Sequence, residues 1–193
     1  MKVKIWSKRL ESEEWECEHT LRGHKAAVNA VLATRDGLQI VSAGADEVIN
    51  IWSVLGGECM TTLRGHSSFV TCLSFSCDDE HILSGSADGS IRKWRLDSGE
   101  CVSTLEGFAS AVRTLCISTD GKSVLSGSED ATLKLWCLET GECTRTFRGH
   151  AGAVNSVSLC RGKGNRRVVI SASSDGTLKI TETGLNDKSE LRK

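Results

Sequence analysis

The sequence predicts an all-β protein built from repeated four-stranded antiparallel units. Three observations carry this. A set of landmark residues recurs at a step of about 42 residues. Between the landmarks lie short stretches rich in apolar and β-branched residues, and none holds a three-and-four apolar spacing over three helical turns. The stretches are separated by Asp, Gly and Ser, in a chain with 19 glycines and no proline.

The landmarks come first. Gly-His stands at 23–24, 65–66 and 149–150, with Gly107-Phe108 in the slot between. Tryptophan closes INIW at 49–52, IRKW at 91–94 and LKLW at 133–136. The related stretches VKIW at 3–6 and LKIT at 178–181 lie a few residues off that grid. Gly-Glu-Cys opens GGECMTTLRGH, SGECVSTLEGF and TGECTRTFRGH.

Within one unit the strands can be read in order. In the second, FVTCLSF (69–75) is followed by the turn CDDE and by HILSGS (81–86). The turn ADG leads into SIRKW (90–94), and LDSGE leads into CVSTL (101–105). Four strands of about five residues with polar turns suit meander pairing. The units fall near 27–63, 69–105, 111–147 and 153–181, preceded by two strands near 3–21. Residues 1–181 thus form one repeat domain, and 182–193 (ETGLNDKSELRK) read as a polar tail.

Composition narrows the function. With 24 basic and 25 acidic residues, the chain lacks the basic excess of a dedicated binder of nucleic acid or acidic membranes. The start MKVKIWSKRL has no apolar run behind its lysines, and no stretch approaches a membrane span of about 20 apolar residues. A soluble intracellular protein, cytoplasmic or nuclear, is expected. Cys17, Cys59, Cys101 and Cys143 are each 42 residues apart, and Cys72, Cys116 and Cys160 each 44 apart. Without a C-x-x-C pair, such spacing marks repeat slots rather than a zinc site, and reduced thiols acting as small core residues are expected. No metal or cofactor is implied.

In the register of Gly-His, of an Asp turn six residues before Trp and of the Trp itself, the chain resembles the WD-repeat (Trp-Asp repeat) β-propellers over about residues 3–181. The Asp that usually follows Trp is replaced throughout: Trp52-Ser53, Trp94-Arg95, Trp136-Cys137. A ubiquitin-ligase adaptor role, which leans on a Trp-Asp-x-Arg stretch, is therefore not implied.

The resemblance implies a buried hydrogen-bond network in each blade: His24, Ser42, Asp46 and Trp52; His66, Ser84, Asp88 and Trp94; Ser126, Asp130 and Trp136; and His150, Ser171 and Asp175. In the first two sets the steps are 18, 4 and 6. The third has Phe108 where His is expected, and the fourth has Thr181 in place of Trp. The same residue types suggest a nucleophilic triad, but a nucleophile needs one exposed hydroxyl and an oxyanion pocket, not near-copies capped by indole. No catalytic residue and no enzyme activity are expected. With His absent, Asp130 is expected to turn to solvent or to a backbone N–H.

About four and a half blades make an incomplete propeller. Two arrangements stay open: an open arc, as in a fragment or truncated form of a larger propeller, and a small ring in which the strand near Trp15–Cys17 completes the last blade. An open arc exposes apolar blade ends and invites self-association. The function implied is a non-catalytic scaffold for other proteins. Its partner-binding residues would be the channel-mouth set Asn29, Phe69, Thr71, Arg113 and Asn155, with Phe69 an aromatic anchor and Arg113 a match for acidic partners. The alternative is an RNA or ribonucleoprotein-associated subunit, resting on Arg113 and the basic insert RGKGNRR at 161–167. No phosphate-cradling G-x-x-x-x-G-K-[ST] motif is present.

Overall fold

The computed structural model describes residues 1–8, 14–161 and 166–186. Two strands come first, β1 (Lys2–Lys8) and β2 (Trp15–Arg22), paired with each other alone. Three four-stranded antiparallel meanders follow. The first holds β3 (Val28–Ala33), β4 (Gln39–Gly44), β5 (Val48–Ser53) and β6 (Cys59–Arg64). The second holds β7 (Val70–Phe75), β8 (His81–Ser86), β9 (Ile91–Arg95) and β10 (Cys101–Leu105). The third holds β11 (Val112–Ile117), β12 (Ser123–Ser128), β13 (Leu133–Cys137) and β14 (Cys143–Phe147). The last sheet has three strands, β15 (Val154–Arg161), β16 (Arg166–Ser173) and β17 (Leu178–Asn186). No helix of the described residues is long and apolar enough to cross a membrane.

The core lies between sheets. Val41, Ile49, Ile51 and Leu63 of one sheet pack on Val70, Ile82 and Trp94 of the next. Leu83, Ile91 and Leu105 meet Val112, Val124 and Trp136, and Leu125, Leu133 and Leu135 meet Val154, Val157 and Val169. Each second strand is sandwiched on both faces, which is why HILSGS is buried at every position. The inner strands pack in series, β3 on β7, β7 on β11 and β11 on β15. Gly127 sits where this stacking is tightest, for a Cβ there would lie 2.6 Å from Val154 Cγ1.

Two expectations need correction. Strand β17 runs on to Asn186, with Val168 opposite Glu182 and Arg166 opposite Asn186, so the polar segment after 181 begins as ladder rather than tail. Residues 187–193 lie outside the described residues. The cysteines are not uniformly core: Cys59, Cys77, Cys143 and Cys160 are exposed, and all nine thiols are free. The outer-strand slot is exposed at Cys59 and Cys143, whose thiols each donate to a carbonyl two residues on, and half-buried at Cys17 and Cys101. Cys72, on an inner strand, is half-buried, and desolvation of its thiol pushes it up to about 11.

Candidate functional site

The structure brings the predicted polar sets together at one end of each sheet. Trp52 Nε1–H donates to Ser42 Oγ at 2.8 Å, and His24 Nε2 is 2.7 Å from the same oxygen. His24 Nδ1 is 2.9 Å from Asp46 Oδ1. The second sheet repeats this with Trp94 to Ser84 at 2.8 Å, His66 to Ser84 at 2.7 Å and His66 to Asp88 at 2.9 Å. The serine accepts from the indole and donates to Nε2, which fixes the tautomer in which Nδ1–H donates to the carboxylate. That carboxylate also accepts a backbone N–H of the connection from the preceding sheet, from Lys25 to Asp46, from Ser67 to Asp88 and from Ala151 to Asp175. The first two sets thus tie the second strand, the third strand, the turn between them and the connection from the preceding sheet.

Electrostatics follow. Burial opposes ionisation of Asp88, but the Ser90 hydroxyl and amide, the Ser67 amide and His66 together hold it down at about 2. In Asp175 the Thr177 hydroxyl, the Ala151 amide and His150 lower the carboxyl as well. Burial keeps His66 below the ordinary histidine value, against the pull of Asp88. The four serines are 0–4% exposed, so their hydroxyls are closed to a substrate and the sets are braces.

The third and fourth sets are partial. Ser126 still receives the Trp136 N–H at 2.8 Å, and without a histidine its hydroxyl donates to the Lys134 carbonyl at 3.2 Å. Asp130 is exposed and accepts the Thr132 N–H at 2.9 Å and the Thr132 hydroxyl at 2.6 Å. In the fourth sheet His150 reaches Ser171 at 2.8 Å and Asp175 at 2.9 Å, and no indole is present.

The channel-mouth residues have a geometry that the sequence did not reveal. Pairing on each inner strand shifts between Val28 and Ala30, Val70 and Cys72, Val112 and Thr114, and Val154 and Ser156. Asn29, Thr71, Arg113 and Asn155 are therefore the four bulged residues, turned out of the ladder. Together with Val28 and Glu129 they line one open concavity of about 750 Å3. Asn29 Nδ2–H donates to the Val70 carbonyl at 2.9 Å, and the Thr71 hydroxyl to the Val112 carbonyl, so both also stitch neighbouring sheets. Asn155 turns back to Ser174 Oγ at 2.9 Å. Arg113 lies 3.3 Å from Glu129, and Phe69, one residue before Val70, is 53% exposed. Period-two reading could not find the bulges, because they show only as one extra residue between an anchor valine and the next ladder position.

Braced four-stranded sheets stacked by their inner strands around a concavity define the class: a β-propeller, here an arc of one. The family model for the WD domain, G-beta repeat, matches residues 15–53, 57–95, 99–137 and 141–181, and the chain belongs to this WD40 family. Each matched repeat starts on the outer strand of one sheet and ends on the third strand of the next. The chain is also similar to the computationally designed Ika4 protein, at 34% identity over 86% of this chain and 97% of that chain, with a TM-score of 0.73. WD40 propellers are in general non-catalytic scaffolds for protein–protein interaction.

Proposed function

We propose that this chain is a non-catalytic scaffold whose partner, another protein, is held at the channel mouth. The observation that carries this is the convergence of four bulged residues from four sheets on one concavity of about 750 Å3. Bulges aim side chains away from the ladder at the place where a ligand meets a rigid sheet. Phe69 supplies exposed apolar area beside them, and the Arg113–Glu129 pair supplies a charged contact that a partner carboxylate can rearrange. Nine free thiols support an intracellular setting, cytoplasmic or nuclear. Incomplete end sheets, one with two strands and one with three among the described residues, support reading the chain as part of a larger ring.

The RNA-associated alternative gains nothing from the geometry. Arg113 pairs with Glu129, Arg166 with Glu182 at 2.7 Å and Arg167 with Asp120 at 2.5 Å. Residues 162–165 of the basic insert lie outside the described residues.

A peptide-display selection against the 193-residue chain tests the scaffold reading. Selected peptides are expected to bind about tenfold or more weakly to Phe69→Ala and Arg113→Glu, and unchanged to Leu55→Ala in the β5–β6 turn. Peptides lost with Leu55→Ala but kept by the mouth variants would overturn the site.

A further inference from the structure

The two end sheets are complementary. β1–β2 supplies a third and an outer strand, while among the described residues β15–β17 has a first, a second and a third strand and no outer one. β1 sits on β2 in the register of a complete blade. Trp6 faces Cys17, with a shift after Ile5, as Trp52 faces Cys59 with a shift after Ile51, and Trp136 faces Cys143 with a shift after Leu135. Yet Trp6 is 52% exposed, where Trp52, Trp94 and Trp136 are buried.

The last sheet has the opposite defect. It holds His150, Ser171 and Asp175 in brace geometry, but Thr181 stands opposite Val169 where the other sheets place tryptophan opposite Ile40, Ile82 and Val124. Its third strand, Leu-Lys-Ile-Thr, repeats the pattern of β1, Val-Lys-Ile-Trp, and leaves Leu178 and Ile180 63% and 66% exposed. One end carries an indole without a serine, and the other a serine without an indole.

The inner strands show the same gap. Val70, Val112 and Val154 are fully buried under the preceding sheet, and Val28, their equivalent, is only half-buried. Asn29 and Thr71 each donate to the valine carbonyl of the following sheet, whereas Asn155 turns to Ser174.

We infer that two copies of this chain exchange ends. The β1–β2 hairpin of one copy displaces β17 from the β16 edge of the other, giving a four-stranded sheet in the order β15, β16, β1, β2. Trp6 then faces Val169, its indole N–H donates to Ser171 Oγ, and Lys4 takes the place of Lys179. Asn155 next comes opposite the Val28 carbonyl of the copy that lent the hairpin, and Val28 is covered. Performed twice about a two-fold axis, the exchange closes one ring from both copies and leaves neither incomplete sheet.

The occupant is a second copy because of the tether. β2 runs into β3 through residues 23–27 just as β6 runs into β7, so the hairpin stands as the blade ahead of the first complete sheet. In one copy it remains a separate two-stranded sheet, and among the described residues no packing like that of β11 on β15 joins β15 to β3.

Sedimentation velocity of the 193-residue chain from about 1 to about 100 µM tests this. A dimer is expected. Trp6→Ala removes the donor, and Thr181→Trp restores an indole to β17 so that it holds its own slot. Each should weaken the dimer about tenfold or more. Both positions are exposed, so far-UV circular dichroism should be unchanged. In the wild-type dimer, acrylamide quenching should lose the component that Trp6→Ala identifies. A monomer at every concentration overturns the exchange, as does a dimer indifferent to both substitutions. A monomer with Trp6 shielded means closure within one chain and overturns the second copy.

Discussion

Phe108 packs against Trp136 with ring centroids 6.0 Å apart and planes at 59°, the arrangement that His66 makes with Trp94 at 6.1 Å and 60°. The phenyl ring fills the volume of the missing imidazole without its hydrogen bonds. The apolar half of the brace therefore survives while its polar half is released. Asp88 gathers His66, the Ser67 N–H and Ser90, whereas among the described residues Asp130 keeps only Thr132. Asp88→Ala should cost about 2–4 kcal/mol, since it strands buried donors, and Asp130→Ala about 0.5–1 kcal/mol. Urea unfolding of the two variants checks the ratio, and equal losses would show that the carboxylate works by some route other than the histidine.

The serines offer a second comparison. Ser84→Ala leaves both the Trp94 N–H and His66 Nε2 buried without a partner, and should cost about 2–4 kcal/mol. Among the described residues Ser171 meets only His150, so Ser171→Ala should cost about 1–2 kcal/mol. Chemical denaturation midpoints read the difference.

Acid should unfold the protein in two stages. His66 is held below its ordinary value, so the unfolded chain takes up a proton first, and stability falls as pH drops below about 6.5. Asp88 is lowered to about 2, so its contribution is complete above the ordinary carboxylate value of about 4 and is lost as pH falls from there towards 2. In both windows the unfolded state binds more protons, so the two effects share a sign. The melting temperature should be flat above about pH 7, decline gently to about 5 and drop steeply below 4. A rise on acidification would contradict the neutral, carboxylate-bound histidine.

The turns between second and third strands make a backbone prediction. Gly89 and Gly176 take φ of 82° and 79°, and the same left-handed position is filled by Glu47 at 67° and Ala131 at 65°. Side chains pay a conformational penalty there. Ala131→Gly should therefore stabilise by about 0.5–1 kcal/mol, which calorimetry would resolve. Gly89→Ala should destabilise by more than about 1 kcal/mol, because its Cβ would also lie 2.8 Å from the Phe108 carbonyl oxygen.

The strands and their turns were legible in the residues, and the membership of each His–Ser–Asp–Trp set in the family resemblance that those residues carry. All three depend on local chemistry: a period of two, turn formers, and a spacing that repeats because each blade solves the same problem. The open ends could be anticipated by counting strands, since a third strand stands at 3–6 and again at 178–181. What escaped the sequence was set by contacts between sheets. The bulges at Asn29, Thr71, Arg113 and Asn155 arise where an inner strand must pair with its neighbour and also bend round the channel, and cysteine exposure varies even within one slot, from half-buried Cys101 to exposed Cys143. Trp6, an indole without a serine, and Ser171, a serine without an indole, stand more than 160 residues apart in the chain. A repeat pattern states what each blade contains; only the packing of one sheet on the next decides which surfaces are covered, because burial belongs to pairs of sheets and not to either alone.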